Sequence, residues 1–77
     1  MERPTLTPSE LGALVRRTRK LQGLRQDQLA GVANVGLRFI VDLEAGKPTI
    51  QLAKAFRVLE TLGCSIVITP PEDGGGS

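Results

Sequence analysis

The stretch "NVGLRFIVDLEAGKPT", residues 34–49, decides how this chain is read. Its apolar residues run as long as a helix face, interrupted by Arg38 and Asp42, and it closes on a Glu-Ala-Gly-Lys-Pro turn. Ile40 and Leu43, joined by Phe39 or Val41, can supply an inward face, while Leu37, Arg38, Val41 and Asp42 fall on the other side of a helical repeat. Two readings of that outer side are open. A mutual salt bridge between residues four apart accounts for Arg38 and Asp42 on a plain core helix. Alternatively, the helix is pushed out to touch something.

The flanking sequence bears on the choice. "RQDQLAGVA", residues 25–33, reads as a short helix with Leu29, Ala30 and Ala33 inward. Asn34 follows, one of the few non-glycine residues that enters the left-handed region easily. A short helix, a tight turn and a second short helix over residues 26–44 match a helix-turn-helix. In that motif the first helix braces the second, and the second enters the major groove of DNA with its N-terminal residues facing base edges.

Further out, "LTPSEL" at 6–11 is a helix start. Thr7 is the expected N-cap, Pro8 occupies the first helical position, Glu10 closes a capping box, and Leu6 and Leu11 form a hydrophobic staple. Leu11, Leu14, Val15, Thr18 and Leu21 then follow at steps of three and four, which predicts a helix over about 8–22 with that stripe inward. Arg16, Arg17 and Lys20 fall off the stripe, and Gly23 ends the helix. Downstream, Pro48 breaks the chain and Thr49 is the expected cap of a fourth helix, roughly 50–62. Its Leu52, Phe56, Leu59 and Leu62 repeat at helical spacing, with Lys54, Arg57 and Glu60 outward. After Gly63 the character changes: "CSIVITPP" holds four β-favouring residues ended by two prolines, and reads as a strand with no second strand in the chain to pair with.

Seventy-seven residues suit one small domain, which buries only about 60% of its unfolded surface and is often stabilised by oligomerisation. The single cysteine, Cys64, excludes an intramolecular disulfide framework, fits a reducing compartment and reads as a small buried hydrophobe. With no stretch of ~20 apolar residues and no signal-peptide core in "MERPTLTPSE", a cytoplasmic protein is expected, not a membrane one. The formal charge of +2 hides a local imbalance. Nine cations against three carboxylates leave residues 16–57 at +6, which points towards a polyanion, although a solvated cationic surface has the same composition.

Enzyme chemistry finds no support. The chain has no histidine, no metal-ligand spacing and no phosphate-cradling glycine loop, so no catalytic residues, metal or cofactor are expected. Asp42 and Glu44, two apart on a helix, point to different faces and make a poor acid/base pair.

At this point a family comes into view. "LGALVRRTRKLQGLRQDQLAGVANVGLRFIVDLEAGKPT" resembles the lambda-repressor-like, Cro/C1-type (Xre family) helix-turn-helix. The resemblance is carried by Arg16-x-x-Arg19, by Gly23, Leu24, Gln26, Leu29 and Ala30, by Ile40, and by Glu44-x-Gly46, and it covers about residues 10–63. Within the family the chain is most similar to the HipB-type antitoxins, because "FRVLETLGCSIVI" resembles the helix and terminal strand through which those proteins dimerise. The sequence departs from the pattern at Asn34, where glycine is usual, at Gly36, where Ser or Thr usually caps the helix, and at Leu37 and Val41, where small polar residues are common.

The resemblance implies an all-α, four-to-five-helix domain with one short C-terminal strand pairing across a homodimer. Residues 1–6 would be an N-terminal arm, 7–63 the DNA-binding domain, 64–70 the dimerisation strand with Ile66, Val67 and Ile68, and 71–77 a flexible tail. Arg38 and Asp42 become the polar side chains expected to read bases, beside Leu37 and Val41, with Leu37 placed to pack on a thymine methyl. Gln26 at the start of the second helix is an expected phosphate contact, together with Arg25, Gly36 and Lys47, although an ordinary surface glutamine fits Gln26 as well. Arg19 and Glu44 are implied to form an internal ion pair. The implied partners are palindromic double-stranded DNA, a second copy of the chain, and a HipA-like serine/threonine kinase toxin that such antitoxins neutralise. A stand-alone phage-type or controller repressor and a protein-binding helical adaptor without DNA binding are the competing functions.

Overall fold

The computed structural model describes residues 6–72, and within them four helices: α1 (Pro8–Leu21), α2 (Gln26–Ala33), α3 (Leu37–Glu44) and α4 (Leu52–Thr61). The bundle is all-α and lambda-repressor-like. No strand forms within the single chain among the described residues, and 64–70 run on from α4 without regular structure. The arm is described only at Leu6 and the tail only at Pro71 and Glu72; the remaining residues of both expectations lie outside the described residues.

Local chemistry sets the helix starts and stops. Thr7 and Glu10 form a reciprocal capping box: the Glu10 N–H donates to Thr7 Oγ1 at 3.1 Å, and the Thr7 N–H donates to Glu10 Oε1 at 2.9 Å. Pro8 has no N–H, so two of the three orphan donors at that terminus are thereby satisfied. Asn34 ends α2 at φ 59°, and Gly46 ends α3 at φ 81°, each in the left-handed region. The start of α4 differs from expectation: its N-cap is Gln51, and Thr49 lies in the bend before it. The reason is tertiary. Ile50 packs against the core, so the chain must carry it inward before it can turn into the helix.

The core is Val15 of α1, Leu29, Ala30 and Ala33 of α2, Ile40 and Leu43 of α3, and Ala55, Val58, Leu59 and Leu62 of α4 and its end. Helix α3 packs on both α1 and α2, and α4 closes against α2. Five side chains (Leu29, Ile40, Leu43, Val15 and Val58) are fully buried, each contributing about 1.5–3 kcal/mol by leaving water. Cys64 is half-buried against the same core. Two expected stripes are corrected. Leu21 is 80% exposed, because the inward line of α1 runs through Gly12, Val15 and Arg19. Leu52 and Phe56 are exposed as well, since α4 turns Ala55, Val58 and Leu59 inward and leaves those two on its flank.

Gly12 is buried where α1 crosses α3. A Cβ there would fall inside contact distance of the Leu43 carbonyl oxygen and 2.8 Å from that of Glu44. Backbone, which cannot rotate aside, is what it would strike. Gly46 meets the other end of the same seam, where a Cβ would lie 3.0 Å from the Ser9 Cα. Glycine inside a helix costs about 1 kcal/mol relative to alanine, and the close approach of the two helices is what offsets it.

Two long side chains stitch α4 to the rest. Gln22 Nε2 donates to the Leu62 carbonyl at 2.8 Å, and Arg57 Nη1 donates to the Asn34 carbonyl at 3.0 Å, supplying a partner at the end of α2.

Gly12→Ala should therefore destabilise the domain by about 1–3 kcal/mol through overpacking. Gly31, also helical but with open space around it, is the control: Gly31→Ala should stabilise by about 0.5–1 kcal/mol. Thermal melts of the two variants should move in opposite directions, by roughly 4–8 °C per kcal/mol. Equal melting temperatures would mean that the α1–α3 seam tolerates a methyl group.

Candidate nucleic-acid interface

Helices α2 and α3, joined by the turn 34–36, make the helix-turn-helix, and its orientation rests on a buried ion pair. Arg19, only 7% exposed, donates from Nε to Glu44 Oε2 at 2.6 Å, from Nη2 to Glu44 Oε1 at 3.0 Å and from Nη1 to the Leu24 carbonyl at 2.8 Å. The hydrogen bond to Glu44 raises the Arg19 pKa against the opposing effect of burial, so the guanidinium stays charged. Gln26 joins this network: its Nε2 donates to Glu44 Oε1 at 3.1 Å, and the residue is half-buried. One N–H of its amide thus braces the start of α2 against the end of α3. A second N–H and the amide oxygen remain for the expected phosphate contact.

With Ile40 and Leu43 turned inward, α3 presents Leu37, Arg38, Val41 and Asp42 on its other side. Leu37 is half out in solvent and Val41 is partly covered. Arg38 stands clear, its side chain 84% exposed, while that of Asp42 is 23% exposed. The two are paired, Arg38 Nε lying 3.3 Å from Asp42 Oδ1. Lys47 completes the group, with Nζ 3.6 Å from Asp42 Oδ2 and its N–H donating to the Asp42 carbonyl at 3.0 Å. Exposed pairs of this kind add about 0–1 kcal/mol to stability, so their importance lies in where they hold the cations.

The beginning of α3 is open. Gly36 caps α3 without a side-chain acceptor, and no atom lies within 4 Å of where its Cβ would be. A phosphate could approach that backbone closely. At α2 the Gln28 side-chain oxygen accepts from the Arg25 N–H at 2.8 Å. Arg25 itself is exposed and pairs with Asp27 at 3.1 Å, an interaction that lowers the Asp27 pKa.

Apart from Arg25 and Gly36 at the helix starts, the residues singled out from sequence fall into three groups. Arg38, Asp42 and Lys47 form one exposed cluster with Leu37 and Val41 beside them. Arg19, Glu44 and Gln26 form a second, inner network. Ile66, Val67 and Ile68 are elsewhere, exposed along a largely apolar groove of about 540 Å³ that they share with α1 and α4. That groove also collects Leu52 and Phe56, whose spacing with Leu59 and Leu62 predicts an inward position. Their helical spacing was visible, but not which side of α4 faces inward.

Among the described residues no cluster of three or more His, Cys, Asp or Glu side chains could hold a metal ion, and no helix is long and apolar enough to cross a membrane.

Comparison with known proteins agrees with this geometry. The helix-turn-helix family model HTH_3 matches residues 15–68. An uncharacterized HTH-type transcriptional regulator of Sinorhizobium fredii, y4mF, is 71% identical over 65 residues, covering 84% of this chain and 86% of its own. Among solved structures, a HipB complex with an O4 20mer superposes with a TM-score of 0.77 at 20% identity, over 92% of this chain and all of that one. A HipA–HipB–O2–O3 complex gives a TM-score of 0.78 at 20% identity, again over 92% of this chain and all of that one. At that identity the two structures establish the fold, and the family rests on the sequence matches. The chain belongs to the HTH_3 helix-turn-helix family of transcriptional regulators.

Proposed function

We propose that this chain is a homodimeric, sequence-specific DNA-binding antitoxin and autorepressor of a HipBA-like operon. The observation that carries the DNA-binding part is the presentation of α3: a rigidly braced helix with an exposed arginine, with Lys47 beside Asp42 and an open backbone at Gly36. Phosphate contacts from Arg25, Lys47 and the Gly36 backbone set the position of the domain on DNA, and Arg38 with Leu37 supplies sequence discrimination. Such a role places the protein in the cytoplasm, with the DNA.

The homodimer is supported by the apolar groove between α1, α4 and the C-terminal segment. Leu52, Phe56, Ile66 and Ile68 are all exposed there, an arrangement that a small domain with limited burial leaves for a partner. Residues 65–69 pair with the same segment of a second copy about a two-fold axis, which satisfies backbone groups that a lone strand leaves open. Two recognition helices then lie ~34 Å apart and read a palindromic site. The antitoxin part is supported by the likeness to HipB, one of whose structures contains HipA as well as DNA. A stand-alone repressor is the second reading, favoured by the likeness to y4mF, which is described only as a transcriptional regulator.

Three measurements test these statements. The full-length protein should bind duplex DNA from its own promoter with a steep inverse dependence on salt, and Arg38→Ala should reduce discrimination between that duplex and a scrambled one by about 1–3 kcal/mol. An unchanged ratio would remove Arg38 from the reading surface. Light scattering should give a dimer for the full chain and a monomer after deletion of residues 64–77; a dimer in both would place the main interface elsewhere. Affinity purification from the source organism should recover a HipA-like kinase, and its absence from an otherwise DNA-bound sample would favour the stand-alone repressor.

A further inference from the structure

We infer that Asp42 does not read a base, and that it positions Arg38 to read a guanine in each half of the DNA site. This rests on the DNA-binding reading above and assigns a division of labour within α3 that the spacing of its residues leaves open.

The argument begins with reach. Arg38 is 84% exposed at its side chain and Asp42 only 23%, so the carboxylate lies back against the helix while the guanidinium projects past it. A groove floor approaching α3 from outside meets Arg38 first. The second point is occupancy. Both Asp42 carboxylate oxygens already have cations, Oδ1 facing Arg38 Nε at 3.3 Å and Oδ2 facing Lys47 Nζ at 3.6 Å. To accept from a cytosine amino group, this recessed carboxylate would have to offer a remaining lone pair towards a row of phosphates, which repel it.

The third point is the fork. A guanidinium has five N–H donors, and a carboxylate on its Nε edge leaves the terminal pair of nitrogens directed outward. Two parallel donors in a plane match the O6 and N7 acceptors of guanine, and of the four bases only guanine offers two acceptors side by side on its major-groove edge. An exposed arginine has many rotamers, and holding it by Nε removes part of the entropy cost of ordering it in the groove. Asp42 also holds Lys47 at the C-terminal end of the same helix, through its carboxylate and through its backbone carbonyl. The cluster carries two positive charges against one negative, so it remains attractive to DNA.

The test uses the full-length protein and a randomised duplex library. The wild type should select sites with one guanine in each half that depends on Arg38, and replacing that guanine by 7-deazaguanine, which lacks N7, should weaken binding roughly ten-fold. Asp42→Asn keeps the shape and removes the charge. It should bind scrambled duplex more tightly than the wild type does, yet its preference for that guanine and its sensitivity to 7-deazaguanine should both fall several-fold. Opposite movements of non-specific affinity and guanine preference are something a merely structural role would not produce. Arg38→Lys should lose the guanine preference with scrambled-duplex affinity little changed. The inference is overturned if Asp42→Asn keeps the guanine preference and loses a cytosine preference instead, because Asp42 then reads a base directly. It is also overturned if the variant, folded by circular dichroism, weakens on all duplexes alike. A wild type that selects no sequence would defeat the DNA-binding reading itself, which separates that failure from this one.

Discussion

The Arg19–Glu44 pair is the constraint on which the rest of the structure depends. Through three donors Arg19 reaches both oxygens of Glu44 and the Leu24 carbonyl, and Gln26 adds a third hydrogen bond to the same carboxylate. Four places along the chain meet there: the last turn of α1, the loop after it, the first residue of α2 and the last residue of α3. No buried side-chain nitrogen or oxygen among the described residues lacks a partner, so the desolvation of these charges is met by hydrogen bonds. A buried pair of this kind is weak support for stability, since a well-packed apolar substitute often does as well. Its consequence is geometric. The end of α3 has one place to go, and the angle at which α3 leaves the core is fixed by a bidentate contact that tolerates little displacement.

That geometry separates two networks that share one short helix. Glu44 and Asp42 are two residues apart and so lie on different sides of α3. The first faces Arg19 and Gln26 inside; the second faces Arg38 and Lys47 outside. The inner network holds the helix still, and the outer one arranges charge on a surface that is already rigid. A recognition surface built this way needs little ordering on contact, which lowers the entropic cost of binding. Gly12 adds to the same end. Its missing side chain lets α1 rest directly on the carbonyls of Leu43 and Glu44, so the helix is held by backbone contact as well as by the ion pair.

On another face the chain is less complete. Leu52, Phe56, Ile66, Val67 and Ile68 all remain exposed, although each is a residue type that a small domain would gain from burying. The core is assembled largely from side chains of modest size: alanine supplies three of its ten members and no aromatic side chain is fully inside. The larger apolar residues of α4 and the C-terminal segment therefore line a groove, and a second copy of the chain is the occupant we propose for it.

How much of this was legible beforehand follows from where each determinant is located. The sequence by itself determined the helices and most of the core, because those depend on neighbours within one turn. Thr7 and Glu10 cap α1 with their own side chains; Asn34 and Gly46 end α2 and α3 by their backbone freedom; Leu29, Ala30, Ala33, Ile40 and Leu43 repeat at the period of a single helix. The tertiary structure decided what depends on the element across the way. Leu21 has the same local pattern as Val15, yet the inward line of α1 belongs to Arg19, whose partner is 25 residues distant. Thr49 is a better cap than Gln51 in isolation, but Ile50 must first reach the core. Gly12 looks like an ordinary helix interruption until Leu43 and Glu44 are set against it. Gln26 is an expected phosphate ligand in the sequence, and only the position of Glu44 shows that its amide also braces α2 against α3. Hydrogen bonds within a turn are encoded by spacing, whereas contacts between helices depend on the relative rotation of two cylinders, which no single helix specifies.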